Sequence, residues 1–216
     1  MKPKIFVDFD DTLFDKQKFW PDLVEIFKRP GLDKNGPALF TDEEISVSYK
    51  AVYTDGYAGA EAQLIYMHNT YPEKKFDLEA ALAELSQLMS EIKDKYLFPG
   101  AIEYIEELKE NYDVYLITVG GLEFQKAKVK NSGIEELVGE DHCLYTEGSK
   151  EQKLLDEKIQ SEDEFTLVED KKKTIRSVYA TFPNAKFVLA GQGQFREIPE
   201  EELVAEYGEE RELRVA

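Results

Sequence analysis

The sequence has little of several features that identify particular classes of protein. Cys143 is the one cysteine in 216 residues, which excludes a disulfide within the chain and a zinc site built on several cysteines. No apolar run approaches the ~20 residues of a membrane-spanning helix. The apolar run near the start stops at Asp8, so we do not expect a signal peptide. A lone cysteine suits a reducing compartment, and we expect a cytoplasmic protein.

Basic residues are scarce relative to acidic ones. Lys and Arg number 27 against 45 Asp and Glu, a formal net charge of −18. This charge repels nucleic acid and anionic lipid, so we expect neither nucleic acid nor a membrane as a partner. With 42% hydrophobic and 33% charged residues, the composition is that of a folded globular chain. The length suits one ordinary domain, or a core domain that carries an insert.

The sequence contains several short apolar runs in which polar residues do not alternate with apolar ones. Such runs are typical of strands buried on both faces of a parallel sheet. Four are clear and a fifth is weaker: 5–7, 114–117, 165–168 and 187–190, with 143–145 as the weaker one. Helical patterns separate the later runs, at 101–108, 122–131, 151–159 and 172–180. This alternation predicts an α/β fold with a doubly wound parallel sheet.

The segment over residues 15–97 breaks the alternation, because it contains helical patterns and no convincing strand. Thr41 to Glu44 has the form of a capping box at a helix start. Residues 77–96 carry apolar side chains at spacings of three and four, the stripe of an amphipathic helix. We therefore predict an α/β core domain over 1–14 and 98–216, with an all-helical cap domain over 15–97 inserted after the first strand.

Polar residues follow three of the predicted strands at the point where each strand ends. Asp8 and Asp10 follow the first, Thr118 ends the second, and Glu169 and Asp170 end the third. The carboxyl ends of parallel strands share one edge of a sheet, where ligands bind, so we expect these side chains to converge. Clustered carboxylates repel each other and need a cation or a shared proton. An all-oxygen cluster suits Mg²⁺, which favours phosphate substrates.

This order of motifs resembles the haloacid dehalogenase (HAD) superfamily, over nearly the whole chain. The matching residues, in motif order, are Asp8, Asp10 and Thr12; then Thr118; then Lys150, with Lys153 as a possible substitute; then Glu169 and Asp170. The resemblance implies a Rossmann-like core and a helical cap of the C1 type. Two positions depart from the usual pattern. Asp11 stands where glycine is common, and Lys171 to Lys173 follow Asp170 where many members carry another aspartate.

The resemblance also implies a role for each matching position. It implies catalysis by Asp8, Asp10, Thr118 and Lys150, phosphate binding by Asp11, Thr12, Thr118, Val119 and Lys150, and Mg²⁺ binding by Asp8, Asp10, Glu169 and Asp170. Asp8 would be the nucleophile that forms a phospho-aspartate. Asp10 would donate a proton to the leaving oxygen, activate the water, and offer its backbone carbonyl to the metal.

The implied activity is that of a Mg²⁺-dependent phosphohydrolase acting on a small phosphorylated metabolite. Members that displace halide from carbon usually lack the second carboxylate, so the presence of Asp10 favours phosphate esters. Two alternatives stay open: a sugar phosphomutase of the same fold, and a non-catalytic member that only binds phosphorylated ligands. The sequence identifies neither the substrate nor the oligomeric state.

Overall fold

The computed structural model contains a six-stranded sheet. It describes residues 2–32, 36–54 and 59–215, except for the side chains of 53, 54 and 208–215. The strands are β1 (Lys4–Val7), β2 (Asp113–Val119), β3 (Cys143–Thr146), β4 (Phe165–Glu169), β5 (Lys186–Gly191) and β6 (Gln194–Ile198). Their order across the sheet is β3-β2-β1-β4-β5-β6. The first five are parallel, and β6 pairs antiparallel with β5 at one edge. The predicted α/β fold and its parallel sheet are thus confirmed.

Helices connect the strands and occupy the segment between β1 and β2. They are α1 (Lys16–Lys28), α2 (Asp42–Thr54), α3 (Ala60–Thr70), α4 (Leu78–Ser90), α5 (Ile92–Lys95), α6 (Ala101–Asn111), α7 (Leu122–Ser132), α8 (Ile134–Val138), α9 (Lys150–Asp156), α10 (Lys172–Thr181) and α11 (Glu200–Val215). In the part of the chain that the structure describes, none of them is both long and apolar enough to cross a membrane.

The chain divides into two compact units. One contains the sheet and comprises Met1–Asp15, Leu97–Val119 and Gly133–Ala216; the other is helical and comprises Lys16–Tyr96 and Gly120–Ser132. Helix α7 follows β2 along the chain, yet it belongs to the helical unit, whereas the sequence places it in the predicted core domain. The domain boundaries inferred from the sequence stay a prediction.

Two helix starts in the helical unit follow from local sequence. At the start of α2 the backbone N–H of Thr41 donates to Glu44 Oε2 at 2.8 Å, and the N–H of Glu44 donates to Thr41 Oγ1 at 3.2 Å. The predicted capping box is therefore confirmed. Asp77 caps α4 by accepting a hydrogen bond from the N–H of Ala80. The predicted stripe over 77–96 forms two helices, α4 and α5, with a break at Glu91.

Strand β1 lies in the middle of the sheet, between β2 and β4. Val7 is in register with Leu116 on one side and with Val168 on the other. The side chains of Val7, Leu116 and Val168 are all fully buried, and burying an aliphatic side chain of this size contributes about 1.5–3 kcal/mol. This register fixes the geometry of the site, because the residues after β1 emerge between the ends of β2 and β4.

Candidate active site

The loop after β1 is a tight turn that begins with Asp8. The N–H of Asp8 donates to the carbonyl of Val168 at 2.9 Å, so Asp8 still belongs to the ladder with β4. The carbonyl of Phe9 then accepts hydrogen bonds from the N–H groups of Leu13 and Phe14, at 3.0 and 2.9 Å. These bonds fold the segment back on itself directly after Asp8.

Asp11 has a positive φ of 64° in this turn. The left-handed region is costly for most side chains, and glycine, asparagine and aspartate adopt it most readily. The N–H of Asp11 also donates to the carbonyl of Phe14 at 2.8 Å, which holds the turn closed. The departure noted in the sequence therefore has a physical reason, because aspartate is one of the few side chains that this position tolerates.

Two side chains donate to the carboxylate of Asp8, which is 3% exposed. The hydroxyl of Thr12 donates to Oδ2 at 3.0 Å. The ammonium of Lys150 forms an ion pair with Oδ1 and donates to Glu169 Oε2 at 2.6 Å. The structure thus brings Lys150 and Thr12 to Asp8, and both donors fix the orientation of this carboxylate.

Lys150 reaches Asp8 because it is the first residue of α9. Ser149 caps this helix by accepting a hydrogen bond from the N–H of Gln152 at 3.3 Å. Lys153 lies one turn later and forms its ion pair with Glu157 at 2.7 Å. Of the two lysines that the sequence offered, it is Lys150 that the structure places beside Asp8.

Glu169 and Asp170 lie at the end of β4, next to Asp8. Glu169 is fully buried, and its Oε1 accepts a hydrogen bond from the N–H of Lys171 at 3.0 Å. Asp8, Glu169 and Asp170 each offer a carboxylate oxygen, and these oxygens all lie within 4.8 Å of one another. The structure therefore brings these three acids together at one edge of the sheet, as the sequence predicts.

Burial raises the pKa of all three acids. Desolvation is the main cause for Asp8, and the negative charges of Glu169 and Asp10 add to it, against the attraction of Lys150. Desolvation likewise raises the pKa of Glu169 and of Asp170. Burial alone would lower the pKa of Lys150, but Asp8 and Glu169 outweigh that effect and raise it. Lys150 is therefore protonated, and its one ammonium lies beside acids whose burial favours their neutral form.

The three acids fit a divalent cation. Their donor atoms are all carboxylate oxygens, the ligands that Mg²⁺ and similar hard cations prefer. Asp170 Oδ1 is buried and accepts no hydrogen bond within the described part of the chain. A buried carboxylate oxygen without a donor is costly, and a bound cation would remove that cost. Asp8, Glu169 and Asp170, three of the four predicted metal ligands, would hold such an ion, and their role as ligands stays a prediction.

The remaining predicted residues lie around this cluster in different surroundings. Thr118 is 1% exposed, and its Oγ1 is buried without a hydrogen-bond partner among the described residues. Val119 ends β2 and is 41% exposed. Asp10 is half-buried and does not belong to the group of three acids. Asp10 affects the site through its charge, which contributes to the raised pKa of Asp8.

Two residues that the sequence did not single out also shape the segment after β2. Gly120 has a φ of 151°, and a Cβ on it would lie 2.5 Å from Nε2 of the buried Gln125. A larger residue at this position would displace Gln125. The only sequence signal for this packing is the Gly120-Gly121 pair directly after the strand.

Comparisons with known proteins agree with this geometry. The family model described as "Hydrolase: haloacid dehalogenase-like hydrolase" matches residues 5–155. No curated protein matches the sequence. Among solved structures, a haloacid dehalogenase-like hydrolase from Burkholderia xenovorans is similar with a TM-score of 0.62 and 19% identity, covering 88% of this chain and 84% of its own.

Two further structures share the fold. A haloacid dehalogenase-like family hydrolase from Xanthomonas campestris gives a TM-score of 0.54 at 15% identity, covering 99% of this chain and 98% of its own. A 2-haloacid dehalogenase from Pseudomonas syringae pv. Tomato gives 0.51 at 15% identity, with 79% of each chain covered. At these identities the structures show a common fold. The match to the family model shows more than the fold, because it extends from β1 through most of α9 and includes both Asp8 and Lys150. The chain therefore belongs to the haloacid dehalogenase-like hydrolases.

Proposed function

We propose that the protein is a Mg²⁺-dependent phosphohydrolase that acts on a small phosphorylated metabolite through a phospho-aspartate on Asp8. One observation carries the proposal: the carboxylate of Asp8 lies with those of Glu169 and Asp170 in a group whose oxygens are within 4.8 Å of one another. A carboxylate can attack a phosphate group only if its own charge is screened. The cluster supplies the ligands for a cation that would do this.

The chain's own residues account for the positioning of the nucleophile. Thr12 and Lys150 hold the two oxygens of Asp8, so the carboxylate does not rotate freely. Phosphoryl transfer depends mainly on positioning and on neutralisation of charge, and this arrangement provides both. The hydroxyl of Thr118, which has no partner in the described part of the chain, is a donor that a phosphoryl oxygen would satisfy.

The reaction balances with two carboxylates. An oxygen of Asp8 forms a bond to phosphorus as the bond between phosphorus and the ester oxygen breaks, and Asp10 gives its proton to that leaving oxygen. Water then attacks the phosphorus and loses a proton to Asp10, which releases phosphate and restores Asp8. A bound divalent ion would screen the negative charges of Asp8 and the phosphate during this sequence.

A phosphate ester suits the site better than a haloacid does. Halide leaves carbon as a stable anion and takes no proton, so halide displacement has no use for Asp10. It also has no need for the acids of Glu169 and Asp170, whose burial beside Asp8 costs free energy. The 2-haloacid dehalogenase that shares the fold makes halide release the comparison to include in the test.

Phosphate release from p-nitrophenyl phosphate and a panel of phosphorylated metabolites, with Mg²⁺, tests the proposal. We expect turnover with Mg²⁺, none with EDTA, and a loss of at least about a thousandfold in Asp8→Asn. Asp141→Asn is the matched control, because it makes the same change at an exposed position in the turn before β3. Full activity in Asp8→Asn or in EDTA, or chloride release from 2-chloropropionate without phosphatase activity, would contradict the proposal.

A further inference from the structure

Lys171 is the first of three consecutive lysines after Asp170, and it lies against the site. Its ammonium is 3.6 Å from Asp170 Oδ1, the buried oxygen that accepts no hydrogen bond from the described residues. The side chain of Lys171 is 54% exposed and that of Asp170 is 16% exposed. An exposed ammonium thus faces a buried carboxylate oxygen at a separation slightly too long for a hydrogen bond.

The backbone holds Lys171 at this position. Its N–H donates to Glu169 Oε1 at 3.0 Å, and its carbonyl accepts from the N–H of Thr174 at 2.9 Å and of Ile175 at 3.1 Å. These contacts make Lys171 the N-cap residue of α10, and they leave its side chain to solvent and to Asp170.

Helix capping does not explain a lysine at this position. Serine, threonine, aspartate and asparagine are the favourable N-caps, and Lys171 forms no side-chain capping bond. A positive charge at a helix N-terminus also opposes the helix dipole. The next lysine, Lys172, has a different partner, since it pairs with Glu206 at 2.9 Å. The charge that Lys171 compensates is that of Asp170, whose pKa its ammonium lowers against the effect of burial.

We propose that Lys171 is a built-in counter-cation of Asp170, which a divalent ion must displace, so that Lys171 weakens the binding of metal at this site. The inference rests on the metal site of the proposed function. A divalent ion bound to the Asp170 carboxylate would lie close to the ammonium of Lys171, which is 3.6 Å from Oδ1, and two cations at such short range repel each other. Lys171 therefore keeps Asp170 partly neutralised without metal and keeps a bound ion exchangeable.

Direct metal binding to the whole protein, without substrate, tests this. The free Mn²⁺ signal in electron paramagnetic resonance and Mg²⁺ titration calorimetry give dissociation constants for wild type, Lys171→Met, Lys171→Arg and Lys173→Met. Lys173→Met is the matched control, because it makes the same charge change two residues further on, at an exposed position in the first turn of α10. Lys171→Met should bind about twofold to fivefold more tightly than wild type, since exposed ion pairs have effects of this order. Lys173→Met should change affinity by less than about twofold, and Lys171→Arg should remain near wild type.

A double-mutant cycle with Asp170→Asn locates the effect. The gain from Lys171→Met should disappear in the Asp170→Asn background, because the interaction between these two side chains is then already lost. Equal gains from Lys171→Met and Lys173→Met, or a gain that persists in Asp170→Asn, would reduce the effect to general surface charge and overturn the inference alone. An absence of metal binding in wild type, with no change in Asp170→Asn, would overturn the metal site itself and the inference with it.

Discussion

Replacing Asp8 by asparagine should make the protein more stable while it removes activity. Asp8, Lys150 and Glu169 form a buried group, with side chains 4%, 3% and 1% exposed. Asp8 and Glu169 share one ammonium, so the group carries a net charge of −1 when both acids are ionised. Asp8→Asn leaves the ion pair between Lys150 and Glu169 intact and makes the group neutral.

The sign of the change in the free energy of unfolding follows from the raised pKa of Asp8. Because the folded protein binds a proton at Asp8 more readily than the unfolded chain does, the free energy of unfolding falls as pH rises from the ordinary value of 3.8 through the folded pKa. Asparagine does not ionise, so the Asp8→Asn variant does not lose this part of its free energy of unfolding as pH rises. Its amide oxygen can accept from Lys150, and its amide nitrogen can donate to the hydroxyl of Thr12. We expect a gain of about 1–2 kcal/mol at pH 7, typical of removing an unfavourable buried charge.

Urea unfolding followed by circular dichroism, at pH 7 in EDTA, measures this difference, with Asp141→Asn as the control at an exposed site. Mg²⁺ should then stabilise wild type more than Asp8→Asn, since a ligand adds stability only in proportion to its binding to the folded state. The difference in the free energy of unfolding between Asp8→Asn and wild type should therefore become smaller as Mg²⁺ is added. If Asp8→Asn were less stable than wild type in EDTA, attraction to Lys150 would outweigh the excess charge, and the reasoning would be refuted.

Three further predictions concern single side chains. Lys150→Met should destabilise the fold by about 3–5 kcal/mol at pH 7 in urea unfolding, because it leaves two buried carboxylates without their counter-charge. Thr118→Val should leave stability within about 1 kcal/mol and lower kcat/KM at least about tenfold, because the Thr118 hydroxyl has no partner among the described residues and is available to a ligand. Glu44→Gln should cost about 0.5–1 kcal/mol at pH 7, since glutamine can keep the capping box but loses the 2.7 Å ion pair with Lys74. The pKa of Glu44 is lowered by Lys74 and Thr41, so this stability is present above the ordinary value of 4.5 and is lost as pH falls through the folded pKa.

Control variants and stated outcomes separate the effect of each of these side chains from a general effect of the substitution on the protein. Glu43→Gln removes the same charge from the same turn of α2 at an exposed position, so it should cost less than Glu44→Gln at pH 7. A difference between the two that grew below about pH 4 would contradict the assigned pKa direction for Glu44. Unchanged kcat/KM in Thr118→Val would remove Thr118 from the site. A Lys150→Met protein as stable as wild type would show that the acids of the cluster are protonated at pH 7.

The buried strands could be predicted from the sequence, whereas the edge strand could not. β1 to β5 are apolar runs, the pattern typical of strands buried on both faces of a parallel sheet. β6 has the sequence Gln-Phe-Arg-Glu-Ile, with most residues exposed. Its structure depends on pairing with β5 across the turn at Gln192 and Gly193, whose φ values are 51° and 76°. Asn-Gly or Asp-Gly would have indicated such a hairpin, but Gln-Gly is not a common signal.

The sequence predicts which residues lie in the site, but it does not predict the contacts between their side chains. The acids at the strand ends converge because parallel strands present their carboxyl ends together. The choice between Lys150 and Lys153 needed the start of α9, which Ser149 sets as N-cap, a signal that was present in the sequence. The position of Lys171 depends on the rotamer of a long surface side chain, and no periodicity in the sequence encodes that. The hydroxyl of Thr12 is likewise bound to Asp8, a contact that motif spacing alone does not specify.

The placement of β1 also explains why the fold tolerates so long an insertion. The ladder between β1 and β2 joins residues distant in the chain, such as Lys4 and Asp113. The entropy lost on closing a loop grows only with the logarithm of its length, at roughly 0.6 kcal/mol for each doubling. Lengthening a connection of about 25 residues to this span therefore costs on the order of 1 kcal/mol. Evolution can exchange the segment between these strands at small thermodynamic expense, while the strand that carries the nucleophile keeps its neighbours.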